Sequence, residues 1–339
     1  MEEKKQLRMV ACGGCKAKVF VPAGLAPLST TPCPKCGHPI MSPMRLRQFE
    51  LRAEIASGGM GTVYRAFDLV LEREVALKMM KPEMAAEPTA LESFYREARA
   101  IASLNHTNII HIYTFDEFES QKYLVMELAD QGSLDSRIEQ LHRLPELDIL
   151  DVGEKMADAL NLALKHGLLH RDIKPGNILF NTDNQPKLVD FGLARKAEAE
   201  FNPDEGIWGT PYYVAPEKIK REQETFLSDM YSLGGTLYHA LTGHVPFEAP
   251  TPEDVVYAHV HTPLTPPNAV VPEISQACSD VLMRVMAKEP AQRFASYEEL
   301  IMAINLARAE LLKNSYVQAA TETESQSASP TKGRWWRRS

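Results

Sequence analysis

No stretch of the 339-residue sequence approaches eighteen apolar residues in a row, so no membrane span is expected. The opening residues, MEEKKQLRMVACGG, lack the apolar core of a secretory signal, which argues for a cytoplasmic protein. Basic charge is in deficit: the net charge of −8 argues against general nucleic-acid binding. Cysteine is nearly missing beyond residue 36. Four of the five cysteines fall at 12, 15, 33 and 36, and without an export signal that crowding points to metal rather than disulfides. What is present divides into three zones. Residues 1–45 hold the cysteine pairs and six prolines. Residues 46–312 carry strand-like and then helix-like patterns. Residues 313–339 are poor in apolar side chains, with Ser or Thr at 315, 321, 323, 325, 327, 329 and 331, and are expected to be disordered.

Cys12-Gly-Gly-Cys15 and Cys33-Pro-Lys-Cys36 are separated by 17 residues, the spacing of a four-cysteine zinc ribbon. Two thiolates with two residues between them turn onto one ion, and two such turns complete a tetrahedral site. A 45-residue segment has too little core to fold unaided, so structural Zn2+ would supply most of its stability. Free cysteines, a redox pair and two disulfides are the competing readings. His38 reads as a surface residue and Cys278, in an apolar stretch, as a buried small side chain.

The middle zone opens with FELRAEIASGGMGTVYRAFDL, two strands about a glycine turn, and REVALKMM, a third strand. LESFYREARAIASL is helical, with Phe94, Ala98, Ile101 and Leu104 on one face. HIYTFDEF and KYLVMEL read as further strands. DILDVGEKMADALNLALKHG stacks Ile149, Val152, Met156, Leu160 and Ala163 and ends at Gly167. SDMYSLGGTLYHALTG is expected to start with Ser228 as its cap and stop at Gly243. SYEELIMAINLARAELL opens with the pair Ser296 and Glu299 of a capping box. Strands first and helices later imply an α+β body with two lobes.

The glycine turn, Ile55 to Tyr64, lets backbone N–H groups approach phosphates. Lys78 ends a buried strand and can hold phosphates if a carboxylate fixes it; Glu97 on the following helix is the natural partner. In HRDIKPGN, Asp172 can accept the hydrogen bond of an attacking hydroxyl, Lys174 can neutralise a γ-phosphate, and Asn177 can bind a metal. KLVDFG puts Asp190 at a strand end as a second Mg2+ ligand. Phosphoryl transfer asks the protein for positioning and charge neutralisation, which these residues supply.

This set, in this order across residues 46–312, resembles the protein kinase family, and its wording is most similar to the bacterial members of the eukaryotic-like Ser/Thr kinases. Gly192, Ala215-Pro216-Glu217, Asp229 and Arg293 match as well. The resemblance implies a bilobal fold with a β-rich first lobe and a helical second lobe. It also implies ATP with Mg2+ (or Mn2+), protein substrates and a Ser/Thr acceptor, the last favoured by Lys174 and by Gly209-Thr210-Pro211. Ile55, Ala56, Gly58, Gly59, Met60, Gly61, Val63 and Ala76 would then surround the nucleotide. Met126 would be the gatekeeper, and the backbones of Glu127 and Ala129 would meet adenine. His170 and Phe191 would stack in a hydrophobic spine, Asp229 would anchor the catalytic loop, and Glu217 and Arg293 would form a buried pair. Tyr212 and Tyr213 read as packing or peptide-platform residues rather than phosphosites. One departure is Ala56, where the family's first loop glycine stands; alanine keeps the turn if its φ is negative.

Related small-molecule kinases generally lack the GTPYYVAPE segment, and a catalytically silent scaffold usually lacks one of the Lys, the catalytic Asp or the metal-binding Asp; here all are present. The ribbon, with Lys4, Lys5, Arg8, Lys16, Lys18, Lys35 and Arg45 against Glu2 and Glu3, has only Phe20 for base stacking, which favours protein docking over nucleic acid. The final KGRWWRRS suits a membrane surface, a peptide motif or a solvated tail, and the Ser/Thr-rich stretch before it reads as an autophosphorylation region. From Leu193 to Gly209 there is no Ser, Thr or Tyr. In this family the Arg before the catalytic Asp usually meets a phosphorylated residue there. Glu198, Glu200, Asp204 and Glu205 are the expected substitutes to pair with Arg171.

Overall fold

The computed structural model describes residues 7–191, 195–196 and 211–327, with Ser93, Glu97, Arg195, Lys196 and 315–327 described by backbone alone. The described residues fall into two compact units. One holds 7–134, 162–172 and 176–196, and the other 135–161, 173–175 and 211–327.

The first unit begins with two hairpins, β1 (Leu7–Ala11) with β2 (Lys18–Pro22) and β3 (Thr30–Pro32) with β4 (Pro39–Met41). Strand alternation turns Val19 and Val21 inward, where they pack with Cys12, Cys33 and Ile40 in a small core. A six-stranded antiparallel sheet follows, ordered β5-β6-β7-β8-β10-β9: β5 (Met44–Leu46), β6 (Phe49–Ser57), β7 (Gly61–Asp68), β8 (Arg73–Met80), β9 (Ile112–Phe118) and β10 (Gln121–Met126). The glycine turn therefore connects two paired strands, as the sequence predicts, and REVALKMM is β8. Its buried run Val75-Ala76-Leu77 belongs to a strand covered on both faces.

Between β8 and β9 lie the short α1 (Pro82–Ala85) and α2 (Pro88–Ala102). Phe94, Ala98 and Ile101 of α2 are buried as their spacing predicts, and Phe94 and Ala98 pack with Met80 and Leu124 of the sheet. The ribbon does not hang free. Met41 of β4 is part of the sheet's own core with Leu46, Phe49, Leu51, Tyr64 and Leu77, and Leu28 and Met44 pack against it. Paired backbone hydrogen bonds, Leu28 N–H to Ser42 O at 2.8 Å and Ser42 N–H to Ser29 O at 2.7 Å, tie that connection down.

The chain then runs through α3 (Leu134–Leu141) and α4 (Glu146–Lys165), the short strands β11 (Leu168–Leu169), β12 (Ile178–Phe180), β13 (Pro186–Leu188) and β14 (Arg195–Lys196), and α5 (Pro216–Ile219). After α5 come α6 (Phe226–Thr242), α7 (Pro252–His261), α8 (Pro267–Val270), α9 (Gln276–Val285) and α10 (Tyr297–Ser327). The stripe Ile149, Val152, Met156, Leu160 and Ala163 of α4 is buried throughout. Gly167 stands just past the end of α4 in the left-handed region that closes a helix, φ 71°.

The cap of α6 is Thr225, not Ser228. Thr225 accepts from the Leu227 amide, while Ser228 is the third helical residue, accepting from the Thr225 amide and donating to Glu217 at 2.7 Å. Ser228 looks like a cap because it precedes the apolar run, but its hydroxyl serves the buried carboxylate. At α10, Ser296 accepts from the Glu299 amide as expected, whereas the Glu299 carboxylate turns to the Ala295 amide rather than to that of Ser296. The backbone of α10 stays helical to Ser327, past the point where composition predicts disorder. Composition argues about burial rather than backbone, and Gln318, Ala319, Ala320, Glu322 and Glu324 are good helix formers set among weaker Ser and Thr. No helix among the described residues is long and apolar enough to cross a membrane.

Candidate phosphoryl-transfer site and cysteine cluster

The glycine turn is closed by the Gly58 amide donating to Gly61 O at 2.9 Å. None of its glycines has positive φ, and neither has Ala56, so the condition for keeping the turn is met. Gly61 is demanded by a different contact from the one its motif suggests. A Cβ there would stand 2.5 Å from the Met79 carbonyl of β8, so the strand crossing itself excludes a side chain. Gly58 and Gly59 are exposed, with room above them. Lys78, paired across β8 and β7 with Val63, is half-buried and its ammonium lies 5.6 Å from the Phe94 ring centre. Glu97 falls on the backbone of α2; its side chain lies outside the described residues.

The loop after β11 carries Asp172 and Asn177. The Asn177 amide, 6% exposed, donates to the Asp172 carbonyl at 2.8 Å and to its carboxylate at 3.0 Å. With its NH2 turned to Asp172, the carbonyl oxygen of Asn177 is left as a hard donor. β13 then delivers Asp190, exposed and in the left-handed region at φ 65°, which Asp and Asn enter more readily than other non-glycine residues. Phe191 is fully buried with its ring 4.5 Å from that of His170, whose Nε2 meets Val189 O at 3.1 Å. His170 and Phe191 are therefore in ring contact as expected, though tilted at 58° rather than stacked, and the buried contact holds the chain on either side of Asp190. Arg171 also has positive φ, 68°. Lys174 follows Asp172 by two residues on the same loop. Gly192, Glu198, Glu200, Asp204, Glu205 and Thr210 lie outside the described residues.

Sequence reasoning reached the segment after β10 through its backbone and missed what holds it. The Glu127 amide donates to His111 O at 2.8 Å. Its carboxylate receives Lys187 of β13 at 2.6 Å, in surroundings where the two side chains are 19% and 8% exposed. Asp130 pairs with Arg65 of β7. The segment holding Met126 and Ala129 is thus tied by ion pairs to β13 and β7. A lysine three residues before Asp190 was the only signal, and alone it reads as surface charge.

In the second unit the expected Glu217–Arg293 pair is bidentate, at 2.7 and 2.8 Å, and almost wholly buried. Burial raises the Glu217 pKa, and the hydrogen bonds and charge of Arg293, with the Ser228 hydroxyl, outweigh it and hold the carboxyl below its ordinary value. Tyr213 is buried with its hydroxyl 2.8 Å from His239 Nδ1, as a packing residue should be, and Asp229 is buried. Burial pushes the Cys278 thiol well up, which keeps it inert.

The four N-terminal cysteines converge. All four sulfurs lie within 4.8 Å of one another, Cys12 and Cys36 at 3.6 Å and Cys15 and Cys33 at 3.9 Å. A tetrahedral ion with thiolates at about 2.3 Å needs edges of about 3.8 Å, so the set fits Zn2+. The two knuckles repeat one backbone pattern. Lys16 N–H donates to Cys12 O as Gly37 N–H does to Cys33 O, Cys12 N–H donates to Ala17 O as Cys33 N–H does to His38 O, and Lys16 and Gly37 both take positive φ. His38 is exposed, and its ring lies over Gly13 and Gly14, where a Cβ would come within 3.1 and 2.9 Å of it. Backbone amides of Cys15 and Gly14 help lower Cys12 to about 6. The His38 amide also lowers Cys36, but burial and the other three sulfurs push it up to about 11. Four thiolates this close need a cation to ionise together.

The pattern of the family described as "Protein kinase domain" matches residues 49–304. The chain is similar to a probable serine/threonine-protein kinase of Clostridium acetobutylicum, 32% identical over 271 residues, which are 80% of this chain and 40% of the relative. It is also similar to the probable serine/threonine-protein kinase PknB of Lactococcus lactis, 32% identical over 75% of this chain and 41% of the relative. The serine/threonine-protein kinase PknH of Mycobacterium tuberculosis is 35% identical over 75% of this chain and 41% of the relative. The chain spans about two-fifths of the length of these curated relatives. With its ordered motifs, sheet and loop geometry, and a family match covering most of its length, the chain belongs to the protein kinase domain family.

Proposed function

We propose that this chain is a Mg-ATP-dependent protein kinase that transfers the γ-phosphate to Ser and Thr hydroxyls of proteins, with a Zn2+-bound ribbon as a docking or regulatory module. The observation that carries the reading is the Asp172–Asn177 hydrogen-bond pair beside an Asp190 whose place is fixed by the buried Phe191. In this reading Asp172 accepts the hydrogen bond of the attacking hydroxyl and orients it, and Lys174 neutralises charge on the transferred group. Lys78, fixed by Glu97, holds the α- and β-phosphates. The Asn177 carbonyl and the Asp190 carboxylate are hard oxygen donors suited to Mg2+ or Mn2+. The cation, when bound, offsets phosphate charge in the transition state. The Glu127 carbonyl and the Ala129 backbone meet adenine, and the turn from Ile55 to Val63, with Met60 and Ala76, covers the nucleotide.

Calorimetry with Mg-ATP tests the nucleotide half of this reading. Lys78→Met and Asp190→Asn should each weaken binding, and unchanged affinity in both would remove these residues from the site. For the ribbon we expect one zinc per chain by elemental analysis, lost in Cys33→Ser, and Cys12, Cys15 and Cys36 serve as the other ligands. In the activation segment, a carboxylate among Glu198, Glu200, Asp204 and Glu205 takes the place of a phosphate opposite Arg171. Phosphatase treatment should then leave basal activity unchanged, and a large drop would mean a phosphorylated residue supports it.

A further inference from the structure

The β1–β2 hairpin has one face in the ribbon core and the other in solvent. The register pairs Leu7 with Pro22, Met9 with Phe20 and Ala11 with Lys18, and all six side chains lie on the face away from Val19 and Val21. Leu7, Met9 and Phe20 are 59%, 55% and 64% exposed. The outward face of an antiparallel hairpin is ordinarily polar. Large apolar side chains that are direct cross-strand neighbours form a patch of the kind that marks an interaction site.

The charge of the ribbon sequence is one-sided. No Asp or Glu occurs between Lys4 and Phe49, while Arg8, Lys16, Lys18, Lys35, Arg45 and Arg47 do, in a chain whose net charge is −8. Lys18 lies within the apolar face itself and Arg8 on the same hairpin. An apolar centre bearing Lys18, with Arg8 on the same hairpin, complements a polypeptide that presents apolar side chains flanked by carboxylates. Nucleic acid fits less well, because bases stack on aromatic rings and the patch offers one, Phe20, beside Leu7 and Met9. The chain's own KGRWWRRS end carries the same sign of charge as the ribbon and is disfavoured as an occupant.

We propose that the solvent face of this hairpin, centred on Leu7, Met9 and Phe20 with Lys18, is a docking site for an acidic, apolar-anchored segment of a partner protein. The proposal rests on the ribbon acting as a docking module and not on kinase activity, so it is tested without ATP.

The probe is a fluorescein-labelled peptide of the sequence KAEAEFNPDEGIWG, residues 196–209 of this chain, used for its composition: four carboxylates around a Phe, an Ile and a Trp. Anisotropy titration with the full zinc-loaded chain should give saturable binding that weakens as salt is raised. Met9→Ser with Phe20→Ser should weaken it at least tenfold. Lys18→Glu alone should weaken it severalfold, providing a second variant that leaves the apolar residues intact. Zinc content and melting temperature should match the unaltered chain in both. Absence of binding, equal binding by both variants, or equal binding of a peptide with its acids changed to amides would overturn the proposal. Tighter binding of a 20-nucleotide oligo-dT, abolished by the same variants, would overturn it in favour of nucleic acid.

Discussion

Arg293 and Glu217 are 76 residues apart, yet they meet in a bidentate pair inside the helical unit, where Arg293 also donates to the Leu227, Ala287 and Lys288 carbonyls and Glu217 accepts from Ser228. Removing one partner leaves an uncompensated buried charge, so Arg293→Met should cost about 3–5 kcal/mol in denaturant unfolding. A loss under 1 kcal/mol would mean that the pair adds little. Because Glu217 has a depressed folded pKa, its stabilisation is full above the unfolded carboxyl value and fades as pH falls through the folded one.

His259 gives a second acid-sensitive point. Burial, and then the charge of Lys288, lower it to about 3, and its Nδ1 meets the Tyr231 hydroxyl at 2.9 Å. Between about 6.5 and about 3 the unfolded chain binds the proton and the folded chain does not. Stability should therefore be lost progressively below about pH 6.5, at up to about 1.4 kcal/mol per pH unit for one such group. His259→Gln should flatten that slope in urea titrations at pH 5 and pH 7; an unchanged slope would assign it elsewhere. At this scale the sequence was uneven. Glu217 and Arg293 were legible because a family pattern pairs them, whereas Glu127 with Lys187 was not, since each alone reads as surface charge and only the fold brings them to 2.6 Å.

At the level of elements, the ribbon and the six-stranded sheet share side chains. Met41 comes from β4 of the ribbon but is 7% exposed in the sheet's core, with Leu28 packed beside it. Met41→Ala should then lower the stability of the whole β-rich unit by roughly 2–5 kcal/mol, the usual cost of truncating a buried core side chain. Hydrogen exchange over β6 and β7 reads this directly. If only residues 7–41 lose protection, the ribbon is an independent bead.

The strands from β6 to β10 were visible in period-two patterns and turn residues, and α2 and α4 in their buried stripes. The ribbon hairpins were not, because β3 and β4 are three residues each, too short for a period, and hold their shape through the knuckles. The cap of α6 was misread for an equally local reason, since a hydroxyl next to an apolar run can serve a buried carboxylate as readily as a helix end.

For the whole molecule, fold class was legible because motif order spans the chain, and no single segment would have sufficed. Composition alone does not convey that a helical backbone continues to Ser327. The relatives extend well beyond the aligned region.

The central claim is that Asp172, held by Asn177 beside Asp190, directs phosphoryl transfer to protein hydroxyls. The direct measurement is transfer of labelled γ-phosphate from Mg-ATP to a generic basic protein, followed by phosphoamino-acid analysis, for the unaltered chain and for Asp172→Asn. Label on Ser and Thr, reduced roughly 10²–10⁴-fold by Asp172→Asn with nucleotide affinity unchanged, is the predicted result. Equal incorporation by the two proteins, or none by either, would contradict the account.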